Sequence, residues 1–129
     1  MAILISRSES QLGLTTSFQA MDNLGGATVS SSFTVPTNVS SIKQVAIAVT
    51  TDGSEETVPL VKISGNCMQD GDAVMTGAAL VISTTATGTA SNFTSYDTDL
   101  GVQPGNSCEI SIAGTDAATV SAAVTLTFA

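Results

Sequence analysis

Every second side chain from Val120 to Phe128 is apolar: Val120, Ala122, Val124, Leu126 and Phe128 share one parity, while Ser121, Ala123, Thr125 and Thr127 share the other. A period of two belongs to an extended strand with one buried face; wound into a helix, the same residues would scatter their apolar groups around the axis. The companion face is unusual. A strand face that meets water normally carries Lys, Glu or Arg, and this one offers only small uncharged groups. The segment therefore predicts a strand anchored in a core, and raises the question of what its second face meets.

The same alternation recurs upstream. Ala27 to Val35 reads as one strand stopped by Pro36, which cannot donate to a ladder. Lys43, Val45, Ile47 and Val49 share a parity in a second strand, predicted to be central because both of its faces are nearly free of charge. TVPLVKISG, residues 57 to 65, reads as a third, with Pro59 marking an edge or an entry bend, and residues 71 to 83 as a strand with a bulge at Gly77, the Ala-rich middle leaving a short helix as the alternative. A short strand is expected within 92 to 96 and a turn at Gln103 to Asn106. Cys108, Ile110 and Ile112 then lead through Gly114 to Ala117 into the closing strand, together reading as a hairpin. AILIS and Leu12 to Ala20 are weaker strand candidates. Strong helix formers are few beside Thr, Val, Ile and Ser. The expectation is all-β: a single antiparallel β-sandwich, jelly-roll-like, of about seven to nine short strands. It forms one domain over 1–129, with residues 1–20 as an N-terminal arm or exchanged strand.

Charge narrows the function. The 129 residues hold 3 Lys plus Arg against 11 Asp plus Glu, a net charge of -8. Seventeen Ser and nineteen Thr supply the polarity that charge does not. With Arg7, Lys43 and Lys62 as the whole cationic complement, no basic footprint for phosphates can form, so nucleic acid is not an expected partner. Anionic membrane surfaces are disfavoured for the same reason, and no apolar run approaches the roughly 20 residues of a membrane-spanning helix. The apolar run Ala2 to Ile5 is too short for a secretory leader.

Chemistry is sparse. The chain has no histidine, which removes the commonest general base, the usual triads and most zinc sites. No catalytic residue, no cofactor and no small-molecule substrate is expected, and the chain is not read as an enzyme. Two carboxylate pairs, Asp70 with Asp72 and Asp97 with Asp99, have the i, i+2 spacing that puts both groups on one side of an extended segment, and adjacent Gly71 and Gly101 carbonyls could complete an oxygen site for calcium. The plainer reading is that each Asp caps its own turn. Cys67 continues the parity of Val61 and Ile63, and Cys108 begins that of Ile110 and Ile112. Either the two form a disulfide, or they are two buried thiols acting as small apolar side chains. One Tyr and no Trp leave little aromatic platform for sugars or bases.

Long charged side chains resist burial because ordering them costs about 1.5 to 2 kcal/mol each, and interface cores are depleted in Lys, Glu and Asp. A strand-built surface of Thr, Ser, Ala and Val is suited to packing against neighbours. On SFTVP at 32–36, the strand Val45 to Val49, VQPGNSCEISIAG at 102–114 and VSAAVTLTF at 120–128, the chain resembles the small jelly-roll coat and capsid-decoration proteins of viruses. That resemblance implies a self-assembling structural protein of the virion, partnered by copies of itself and other coat proteins. Many such coats carry a basic arm, absent here, so it implies an outer position without direct genome contact. Ala123, Thr125, Ile3 and Ile5 are the expected subunit contacts. Two other readings stand beside it: an extracellular filament, tube or surface-layer subunit, and a calcium-assisted carbohydrate-binding module.

Overall fold

The alternating segments are strands in a computed structural model that describes residues 2–51, 57–71, 73–83 and 91–129. Thirteen strands occur among them: β1 (Ile3–Leu14), β2 (Gln19–Ala20), β3 (Asn23–Leu24), β4 (Ala27–Thr28), β5 (Ser32–Thr34), β6 (Ser41–Thr51), β7 (Leu60–Gly65), β8 (Gln69–Asp70), β9 (Ala73–Val74), β10 (Ala78–Ser83), β11 (Ser91–Gly101), β12 (Ser107–Ala113) and β13 (Ala118–Phe128). Five of these, β2, β3, β4, β8 and β9, are two residues long, leaving eight that carry the fold. No helix among the described residues is long and apolar enough to cross a membrane.

The pairing order shows how the chain is wound. One sheet runs β1-β13-β6-β11 and the other β10-β7-β12, with β2 and β5 both on the far side of β12. β2 and β5 behave as one interrupted strand: Gln19 and Ala20 pair with Ile112 and Ser111, and Ser32 to Thr34 pair with Glu109 to Ser107. Counted this way, the first strand pairs with the last, the second with the seventh, the third with the sixth and the fourth with the fifth, all antiparallel. That is a long hairpin folded on itself, and the further pairs β13·β6 and β12·β7 roll it into two facing sheets. This is the winding of a jelly-roll sandwich.

One contiguous apolar cluster fills the space between the sheets. Val120, Ala122, Val124, Leu126 and Phe128 all lie in it, as their parity predicts, facing Val61, Ile63, Ile110 and Ile112 of the other sheet. The rings of Phe33 and Phe128 meet edge-on across the sheets, 6.0 Å between centres. Cys67 and Cys108 are joined as a disulfide at one end of this core, their Cα atoms 5.5 Å apart. Gly65 makes the close approach feasible: at φ +144° it occupies backbone space that disfavours other residues, and a Cβ there would lie 2.8 Å from the Ser107 carbonyl oxygen.

Several local expectations change. Residues 114–117 do not close a hairpin, because β12 and β13 lie in opposite sheets and the segment crosses between them. Ala27 to Val35 is not one strand; β4 and β5 flank a break, and β4 turns back on β3 through Gly25 and Gly26, whose positive φ angles suit a two-residue hairpin turn. β6 is central as predicted, but its parity slips at Lys43. Thr127 pairs with Gln44 and Phe128 with Ile42, so Ile42 points into the core and Lys43 bulges out to solvent. Pro59 stands at an entry bend, since β7 begins at Leu60 between β10 and β12. Residues 71–83 divide into β9 and β10 around a turn at Gly77.

Candidate functional site

The outer face of the four-stranded sheet is built from residues that the core leaves behind. Its strands are in register, so the outward side chains form rows running across all four. One row is Leu4, Thr127, Gln44, Asp97; the next is Ser6, Thr125, Ala46, Ser95; the third is Ser8, Ala123, Ala48, Phe93. The middle of the face is thus a floor of alanines and hydroxyls. Ser6 Oγ and Thr125 Oγ1 hydrogen-bond to each other at 2.9 Å, satisfying two of those hydroxyls within the sheet. Two large apolar side chains rise from opposite margins, Leu4 at 62% and Phe93 at 69% exposure. Among the described residues, charge enters this face at one end, where Lys43 contacts Asp99 and Gln44 Nε2 donates to Asp97 at 3.3 Å.

The expected contact residues divide by parity. Ala123 is exposed at the centre of the floor and Thr125 is half-buried beside it. Ile3 and Ile5 do not belong to this face. β1 pairs in the same chain with β13, which turns both isoleucines inward against the core and leaves Leu4 as the outward residue. Alternation sends chain neighbours to opposite faces, so Leu4 and the two isoleucines cannot share one. Ala46 and Ala48 were legible as the second face of a central strand. Phe93 was not, since the short strand expected at 92–96 is part of the eleven-residue β11.

The carboxylates do not gather. Asp70 lies exposed on the β8–β9 ladder, which is separate from the sheet that carries Asp97 and Asp99, and Asp72 lies outside the described residues. Among the described residues no group of three or more His, Cys, Asp or Glu side chains converges as a metal cage. Asp99 is engaged instead by Lys43, whose hydrogen bond and positive charge hold its carboxyl below the ordinary aspartate value, with Ser41 adding to the effect. Because the folded pKa is depressed, the pair's contribution is present above the ordinary aspartate range and fades as pH falls through the lowered value. Both side chains are largely exposed, so the contribution is small. Lys43→Ala is expected to lower the melting temperature by at most a few degrees at neutral pH and low salt, and by less as pH falls below the ordinary aspartate range; thermal melts of both proteins across pH measure this.

The cations are all occupied. Arg7 donates to the carbonyls of Ser30 at 2.8 Å, Ser32 at 3.1 Å and Ser6 at 2.8 Å. Lys43 holds Asp99, and Lys62 Nζ sits 4.4 Å from the centre of the Phe18 ring. Arg7 works with Glu9, whose carboxylate accepts from the Asp22 amide and Asn23 Nδ2, both at 2.9 Å. The two inward-pointing charges at the β1 margin therefore fasten the segment 21–31 along that side of the sandwich.

No family model matches the sequence, and no curated protein is similar to it. Among solved structures, the chain is similar over 99% of its length to 32% of a chain in the structure of infectious bursal disease virus Gx strain, with a TM-score of 0.47 and 14% identity. It thus spans about one third of that chain.

Proposed function

We propose that this protein is a structural subunit that assembles with copies of itself through the outer face of its four-stranded sheet, as a virion coat or capsid-decoration protein without direct genome contact. The observation that carries the reading is the composition of that face: rows of Ser, Thr and Ala spanning four registered strands, with exposed Phe93 at the margin of an alanine floor. Such a face holds both a projecting aromatic and a shallow surface to receive one, so two copies related by a two-fold axis can satisfy each other. Side chains this small lose little rotamer freedom when covered. The jelly-roll winding is shared by viral coat and lectin domains, and the scarcity of aromatic groups favours the first. The occupied state of Arg7, Lys43 and Lys62 leaves no cation to spare for phosphate, which supports a place away from the genome.

The test is the double substitution Ala123→Lys with Thr125→Lys. Wild-type protein should run as oligomers or larger particles in size exclusion with light scattering, and the variant as monomer with its melting temperature lowered by only a few degrees. A wild-type protein that stays monomeric at high concentration, or a variant that assembles unchanged, would overturn the reading. Electron microscopy of the assemblies separates a closed shell from a tube or filament, and a melting temperature lowered by EDTA would instead favour the calcium-dependent carbohydrate module.

A further inference from the structure

The geometry points to a second self-contact, at the outer edge of β10 over residues 78–82, where the β10 strand of another copy adds antiparallel and joins two sheets into one. The inference is independent of the sheet face described above. Edges of a sandwich are templates for further strands, and proteins guard them with charge, bulges or covering segments. On one side of this sandwich the guarding is elaborate. Arg7 bridges from β1 to the carbonyls of Ser30 and Ser32, and Ser8 and Glu9 hold the β3–β4 hairpin against the β1 margin. On the other side, β11 carries exposed Asp97 and Asp99 and a register break before Leu100.

Over residues 78 to 82 β10 has none of these devices. Ala78 to Ile82 contains no charge and no proline, pairs with β7 without a bulge, and has no strand on its other side among the described residues; at the next residue β11 reaches the strand, where the Tyr96 hydroxyl donates to the Ser83 carbonyl. Val81 stands 51% exposed beside it. Leu80 and Ile82 line a cleft of about 320 Å³ with Val45 and Tyr96, between the margins of β10 and β11, so apolar surface reaches the edge from inside as well.

The strand's own sequence selects a second copy as occupant. A two-fold axis through Leu80 sets residue 80 opposite its counterpart, 78 opposite 82 and 79 opposite 81. The pairing keeps core-facing residues with core-facing residues, and it matches large with small on both faces, Ile82 against Ala78 inside and Val81 against Ala79 outside. None of the paired residues is charged, and Asp97 lines the adjoining cleft from β11.

Single-cysteine variants test that register. Ala79→Cys and Val81→Cys proteins, mixed and mildly oxidised, place the two thiols directly opposite, within the Cα separation a disulfide needs. Each variant alone places its thiols on the diagonal, beyond that range. Both positions are exposed and the native cysteines are already bonded to each other, so folding and background are controlled. The mixture should form covalent dimer at least tenfold faster than either protein alone, and should still do so when both proteins also carry Ala123→Lys and Thr125→Lys, which separates this contact from the sheet face. Val81→Lys should abolish the association. A mixture that cross-links no faster than its components overturns the proposal.

Discussion

Replacing both Cys67 and Cys108 by alanine should lower the unfolding free energy by about 4 kcal/mol, the entropy of closing a loop of this length in the unfolded chain. For a domain of this size that corresponds to a fall in melting temperature of roughly 15 °C. The bond joins the end of β7 to the start of β12, two strands already paired from Gly65 to Leu60. It therefore adds little to native geometry, and its effect lies in the unfolded state, where 41 residues of separation are held closed. Neighbouring contacts make the same end of the sandwich rigid: the Cys67 carbonyl accepts from the Gln103 amide at 2.8 Å, and the Asn66 amide donates to Ser107. Calorimetry of oxidised, reduced and double-alanine proteins measures the effect. A fall of only a few degrees for the double variant would mean that the unfolded chain is already compact over this loop.

The bond also shows where sequence reasoning stops. Parity places both sulfurs in the core, but two inward cysteines on different strands can sit anywhere along that core. Only the register of β7 against β12, which sets Cys108 opposite Gly65, brings Cys67 within reach. Other departures have the same origin. A period of two is a local property and identifies strands well: the inward face of β13 and the central position of β6 are both as predicted. Partner choice is long-range. The chain neighbours β12 and β13 diverge to opposite sheets, while β1 and β13, at opposite ends of the chain, pair along nearly their whole length. Bulges are the other blind spot, since one extra residue at Lys43 reverses every assignment before it without altering composition. The candidate face was half legible for this reason. Ala123 and Thr125 follow from the alternation of one strand, whereas the alanine floor and Phe93 exist only once β13, β6 and β11 are aligned.

Phe128→Ala should cost about 3 to 5 kcal/mol, the range for removing a fully buried aromatic ring from a core that cannot collapse around the gap. Phe128 is 0% exposed and sits where both sheets depend on it. On its own sheet it lies between Ile3 of β1 and Ile42 of β6. Across the core its ring meets the edge of Phe33, which β5 supplies from the other sheet, so truncation breaks an aromatic pair as well as opening a cavity. The neighbouring residue provides the control. Thr127 has outward parity on the same strand, between Leu4 and Gln44, so Thr127→Ala should change stability by less than about 0.5 kcal/mol. Guanidinium titrations of the two variants compare one strand's two faces directly. If Phe128→Ala costs under 1 kcal/mol, β13 does not anchor the sandwich, and its small-residue face would not be held flat enough to receive a neighbour. If the expected gap appears, the alternation has a division of labour: the Val120 to Phe128 parity supplies the stability, and the small side chains of the other parity contribute little to it.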